Sequence, residues 1–176
     1  MNKAKILLSR SVVVCLCLAI LAGGATAFAT TERGKKLLGF RPDVKILLSA
    51  NVERDNKLQA MDKKTVVKPG EIIQWTLASE NYGNANAEGF SSVAKIPDGT
   101  SFVAESAKSD DSVTVTYSID GGNSFSKQPM IDEQQVDGSM KKVAAPVSMF
   151  TNIHFKWENS LEAGKKVTAK YRVSVK

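Results

Sequence analysis

The stretch Val167-Thr168-Ala169-Lys170-Tyr171-Arg172-Val173-Ser174-Val175 decides the fold. Apolar side chains occupy every second position and polar or charged ones the positions between. An extended strand buries such a pattern on one side, and a helix cannot. Four other stretches repeat it: Ile46, Leu48, Ala50 and Val52; Ile73, Trp75 and Leu77; Val113, Val115, Tyr117 and Ile119; and Ile153, Phe155 and Trp157. Shorter apolar runs at 90–96, 101–104 and 142–145 supply two or three more strands. Turn chemistry separates them at Pro69-Gly70, Asn81-Tyr82-Gly83-Asn84, Pro97-Asp98-Gly99, Asp120-Gly121-Gly122, Asp137-Gly138 and 159–164. Seven to eight short strands without a long helical pattern predict an all-β, immunoglobulin-like antiparallel β-sandwich.

Between the strands lie segments that resemble a known family. Val67-Lys68-Pro69-Gly70-Glu71-Ile72-Ile73-Gln74-Trp75-Thr76-Leu77 is followed by Asn81-Tyr82-Gly83-Asn84-Ala85-Asn86-Ala87 and then by Lys95-Ile96-Pro97-Asp98-Gly99-Thr100-Ser101-Phe102-Val103. In this order they look like the conserved repeat domain of prokaryotic surface proteins, domain of unknown function 11. The resemblance covers residues 66–104 and extends to the rest only in outline. It implies a surface-exposed sandwich without catalysis. Two departures stand out: Lys95 replaces the acidic residue frequent before the Ile/Leu-Pro pair, and one copy is present where the family usually has tandem copies. Physically, Pro69, Gly70, Gly83, Pro97 and Gly99 are turn hardware: proline presets φ, and glycine supplies backbone conformations closed to other residues.

Ser118-Ile119-Asp120-Gly121-Gly122-Asn123-Ser124-Phe125 is similar to the Asp box found on hairpin turns of sialidases and other propellers. Its mechanics are local. The Asp120 carboxylate accepts from nearby backbone N–H groups, Gly122 permits left-handed backbone, and the aromatic covers the turn. A propeller needs several four-stranded blades, which this length does not hold.

Residues 1–29 have the pattern of a secretory signal peptide: Lys3, Lys5 and Arg10, an apolar run from Val12 to Leu21, and cleavage sites at Ala25-Thr26-Ala27 or Ala27-Phe28-Ala29. Residues 30–42 read as a basic linker, with a short membrane-proximal helix as the alternative, and 43–176 as the domain. Cleavage removes both cysteines, Cys15 and Cys17, so the processed chain makes no disulfide and no thiolate metal site. It also takes the formal charge from +6 to +3, which is weak support for nucleic-acid binding. No second apolar run long enough to span a bilayer follows, and failed cleavage would leave the first run as an anchor. Periplasmic, cell-surface or extracellular placement is expected.

Catalytic chemistry finds little footing. His154 alternates away from Ile153 and Phe155 toward solvent, and no G-x-S-x-G elbow accompanies it. Asp110-Asp111 and Asp132-Glu133 read as solvated loop carboxylates; Asp98, Asp110, Asp111, Asp120 and Asp132 form no dense calcium series. Phosphate-cradling glycine motifs are lacking, so neither metal nor cofactor is expected. If the strand at Ile153 turns directly into the final strand, His154, Lys156, Lys170 and Arg172 gather as one basic stripe. That stripe suits an acidic glycan or phosphate-bearing polymer, or is solvated charge guarding a sheet edge. The polar loop 127–140 is the expected place for a protein contact.

The reading is an exported, non-enzymatic structural or protein-interaction module of the cell envelope or extracellular space, its partner an unnamed protein. The first rival, a carbohydrate-binding module, needs exposed aromatics, for which Phe40, Tyr82, Phe90 and Phe150 are the candidates. The second, a small hydrolase, needs a cleft with perturbed acids.

Overall fold

The computed structural model describes residues 39–176 of the chain; the expected signal peptide and most of the linker lie outside the described residues. Pro42–Lys176 forms one compact unit. Its strands are β1 (Val44–Arg54), β2 (Lys57–Ala60), β3 (Ile72–Asn81), β4 (Ser91–Lys95), β5 (Thr100–Phe102), β6 (Lys108–Ser109), β7 (Val113–Ser118), β8 (Met130–Gln134), β9 (Met140–Ala144), β10 (Asn152–Trp157) and β11 (Lys166–Val175). A 3-10 turn at Val147–Met149 precedes β10. Among the described residues no helix is long and apolar enough to cross a membrane.

All pairings are antiparallel. The larger sheet runs β2-β1-β3-β11-β5, with β6 also on β11, and the smaller runs β4-β10-β7. Alternation places Val167, Ala169, Tyr171 and Val173 of β11 and Ile73 and Leu77 of β3 on one inner face. Ile153, Phe155 and Trp157 of β10 and Ala94 of β4 line the other, and together they form one buried cluster. Ile153, Phe155, Ala169 and Val173 are fully buried. The protein is therefore an antiparallel β-sandwich, immunoglobulin-like in its plan of two packed antiparallel sheets.

The described residues form eleven strands where periodicity indicates seven to eight. The additions are short or polar. β2 returns from β1 through Asp55-Asn56, both left-handed at φ 52 and 57, the geometry of a two-residue I′ hairpin. The expected loop 127–140 instead contains β8, which pairs with β9 as a two-stranded hairpin apart from both sheets. Asp132 lies opposite Lys142 and Glu133 opposite Lys141, an alignment of opposite charges that hydrophobic alternation does not report.

One expected inner face is only half covered. Val52 of β1 is buried, but Ile46 and Leu48 are 49% and 53% exposed, although Leu77, which sits beside Leu48 on β3, is buried. Three strands face a larger sheet that is wider than they are, and the first half of β1 overhangs them.

Candidate functional site

The expected basic stripe does not form, because β10 and β11 belong to different sheets. The segment between Trp157 and Lys166 crosses from one layer to the other. Lys156 and His154 thus lie on the outer face of the smaller sheet, and Lys170 and Arg172 on the outer face of the larger one. Outward orientation holds for all four; their union on one surface does not. His154 meets Phe125, with ring centroids 5.2 Å apart.

Lys170 and Arg172 instead meet Lys108 in a shallow depression of about 380 Å³ that also includes Glu53, Gln74 and Glu105. Two features shape it. Residues 103–106 lie alongside β11: Val103 N–H donates to the Arg172 carbonyl at 2.9 Å, and Arg172 N–H to Ser106 Oγ at 3.0 Å. Across β3, Arg172 approaches Glu53 at 3.8 Å. Both groups are well exposed, so this pair adds little stability. Three cations face two carboxylates here, a mixed surface whose net charge is positive.

The turn after β7 is the most densely hydrogen-bonded polar feature. Asp120 Oδ1 accepts from Ser118 Oγ at 2.7 Å and from the N–H groups of Asn123 and Ser124 at 3.0 Å; Oδ2 accepts from Ser124 Oγ at 2.5 Å. Ser118 Oγ in turn accepts from Gly122 N–H at 2.8 Å. The Ser124 and Ser118 hydroxyls, with the backbone donors, hold the Asp120 carboxyl well below the usual carboxylate range. Gly122 has φ +95, a conformation that side chains rarely adopt. Four hydrogen bonds to the Asp120 carboxylate, three of them on Oδ1, close its own turn.

Three further acidic candidates are similarly engaged. Asp98 pairs with Lys95 at 2.9 Å, Asp110 accepts from Thr168 N–H at 2.7 Å, and Asp111 accepts from Ser112 N–H and the Asn159 amide. No cluster of three acidic or imidazole side chains able to hold a metal ion occurs among the described residues. Phe90 stacks on Trp157 at 4.9 Å and Phe150 on Tyr117 at 4.8 Å, which packs both, half-buried, against the core; Phe40 and Tyr82 are exposed.

Glu71, which follows the Pro69-Gly70 turn, is a group that sequence reasoning did not single out. Its carboxylate takes a two-point contact from Arg54 at 2.7 and 3.1 Å and accepts from Lys68 N–H at 2.7 Å. The Arg54 hydrogen bonds, then the Lys68 N–H, bring its pKa from 4.5 down to about 2. The Glu71 contribution is complete above pH 4.5, where the unfolded chain is also ionised, and is lost as pH falls through about 2. Glu71→Gln is expected to lower the melting temperature at neutral pH and to flatten the loss of stability between about pH 4.5 and pH 2, read by thermal melts across that window. A variant with the wild-type acid slope would remove Glu71 from the account.

No protein-family model matches the chain, and no curated protein or solved structure shows significant similarity to it.

Proposed function

We propose that this chain is an exported, non-enzymatic sandwich module that serves a structural or protein-interaction role in the cell envelope or outside the cell. The observation that carries this reading is how its acids are used. The carboxylates with the most strongly lowered pKa, Asp120 and Glu71, are committed to closing turns and tying strands. A hydrolase uses such groups in a cleft, where a perturbed acid faces substrate. The leader pattern of residues 1–29 supports export, and the segments within 66–104 that resemble the repeat domain of surface proteins support an envelope setting. An acidic-glycan module is the second reading, favoured by the meeting of Lys108, Lys170 and Arg172. Against it stands the packing of Phe90 and Phe150 against the core, where each spends one ring face on a neighbouring aromatic and offers less to a sugar-stacking platform.

Cell fractionation followed by cross-linking tests both readings. The expected result is a chain lacking residues 1–29 outside the inner membrane, cross-linked to protein. Intact precursor in the inner membrane would overturn cleavage, and intact precursor in the cytosol would overturn export. Retention on an acidic polysaccharide that salt abolishes and that a Lys108→Ala, Lys170→Ala and Arg172→Ala variant loses would transfer the conclusion to the glycan reading.

A further inference from the structure

The overhanging half of β1 has an unpaired side as well as an uncovered face. β2 occupies the outer edge of β1 only from Asn51 to Arg54, and Met61 N–H closes on the Ala50 carbonyl at 2.9 Å. Among the described residues nothing pairs with residues 44–49 on that side. The phase of the free groups follows from the neighbouring bonds. Asp43 donates to Asn81 and accepts from Tyr82 N–H, so odd-numbered residues turn their backbone groups toward β3. Ala50 turns toward the outer edge. With an unbroken register through β1, the N–H and C=O groups of Val44, Ile46 and Leu48 therefore point outward from the sheet edge.

This edge is long, apolar and thinly guarded. Ile46, Leu47 and Leu48 are 49%, 70% and 53% exposed, and Lys45 is the one charge among residues 44–50. Natural sheets protect such edges with charge, proline, bulges or a covering element. Here the sequence is also self-complementary about Leu47. When a second copy runs antiparallel with Leu47 opposite Leu47, Ile46 faces Leu48 and Lys45 faces Ser49, and no like charges oppose. Ile46 and Leu48 are the residues whose backbone groups are free, so each Ile46–Leu48 pair exchanges two hydrogen bonds across the junction. All four of these side chains then share the inner side, in the space beside the smaller sheet of each copy.

We propose that the outer edge of β1 is a self-association strand, through which two copies join antiparallel over Lys45–Ser49 about a twofold axis between their Leu47 residues. The three exposed side chains offer roughly 300 Å² of apolar surface per copy, less than half of the approximately 800 Å² that each partner buries in a standard interface. Association is accordingly weak and reversible, held by backbone pairing and the four-residue apolar cluster.

The test uses the full chain expressed with Cys15→Ser and Cys17→Ser, so that an introduced cysteine is the only thiol whether or not residues 1–29 are cleaved. Sedimentation velocity between about 1 and 500 µM should show a monomer–dimer shift, and Leu47→Lys, which sets two ammonium groups face to face on the axis, should weaken it about tenfold or more while far-UV circular dichroism is unchanged. Val66→Lys, a change at another exposed apolar residue, should leave the shift intact. Register is read by mild oxidation. Leu47→Cys lies opposite itself in a non-hydrogen-bonded pair, where Cα atoms approach to about 4.5 Å and a disulfide closes. Ile46→Cys and Leu48→Cys each lie opposite a different residue and should cross-link several-fold less. A monomer at every concentration, or equal cross-linking at all three positions, would overturn the proposal.

Discussion

Asn81→Ala is expected to cost about 3 kcal/mol or more of folding stability, the sum over several buried groups left without partners. Asn81 is fully buried at the end of β3 and satisfies all four of its amide hydrogen-bonding directions. Oδ1 accepts from Asp43 N–H and Gly83 N–H, both at 3.0 Å; Nδ2 donates to the carbonyls of Ala85 at 2.8 Å and Leu161 at 2.9 Å. One side chain thus holds the entry to β1, the turn after β3 and the crossing segment before β11. Its own backbone is committed too, to Lys165 and Gly164. Alanine removes both ends of the amide and is too small to admit a well-bonded replacement. Asn81→Asp discriminates further. It retains the acceptors but sets a carboxylate against two carbonyl oxygens, which raises its folded pKa above the unfolded one. Its neutral form is the tolerated one, so this variant should recover stability as pH falls toward 4. Denaturant midpoints of the two variants at pH 7 and pH 4 provide the readout. A midpoint for Asn81→Ala within experimental error of wild type would show that the knot is dispensable.

How legible such features are depends on the range over which they act. The core faces of β3, β10 and β11 follow from alternation, because a period of two needs only neighbours in sequence. Ile46 and Leu48 obey the same period and are nonetheless exposed, since whether an inner face is covered depends on the width of the opposite sheet. The basic stripe failed for a related reason. A segment of eight residues, 158–165, joins two strands equally well within one sheet or between two, and charge pattern does not distinguish these outcomes. Asn81 sat in a recognised turn motif, yet its partnership with Leu161, eighty positions away, belongs to the tertiary structure. The β8–β9 hairpin does have a signal in the sequence, Asp132-Glu133 and Lys141-Lys142 placed symmetrically about Asp137, but it lies in charge and not in apolar alternation.

Tyr171 should report on the contact between the two layers. It is the largest fully buried side chain, and its hydroxyl donates across the sandwich to the Lys95 carbonyl of β4 at 3.0 Å. Tyr171→Ala is expected to cost about 3–5 kcal/mol, as for other large aromatic truncations in a packed core. Tyr171→Phe keeps the ring and loses one hydrogen bond, a cost of about 1 kcal/mol. The two variants therefore separate packing from polar contact. Alkaline pH separates them again. Burial pushes the phenol from 10 up to about 12, so the folded state resists ionisation where the unfolded chain accepts it. This contribution is intact below pH 10 and drains away as pH rises to 12. Wild type should thus lose stability relative to Tyr171→Phe across that interval, with a residual slope from Tyr117, whose phenol burial also raises. Parallel alkaline curves for the two proteins would mean that solvent reaches the ring and that the layers are less tightly joined than Phe155, Tyr171 and Lys95 indicate.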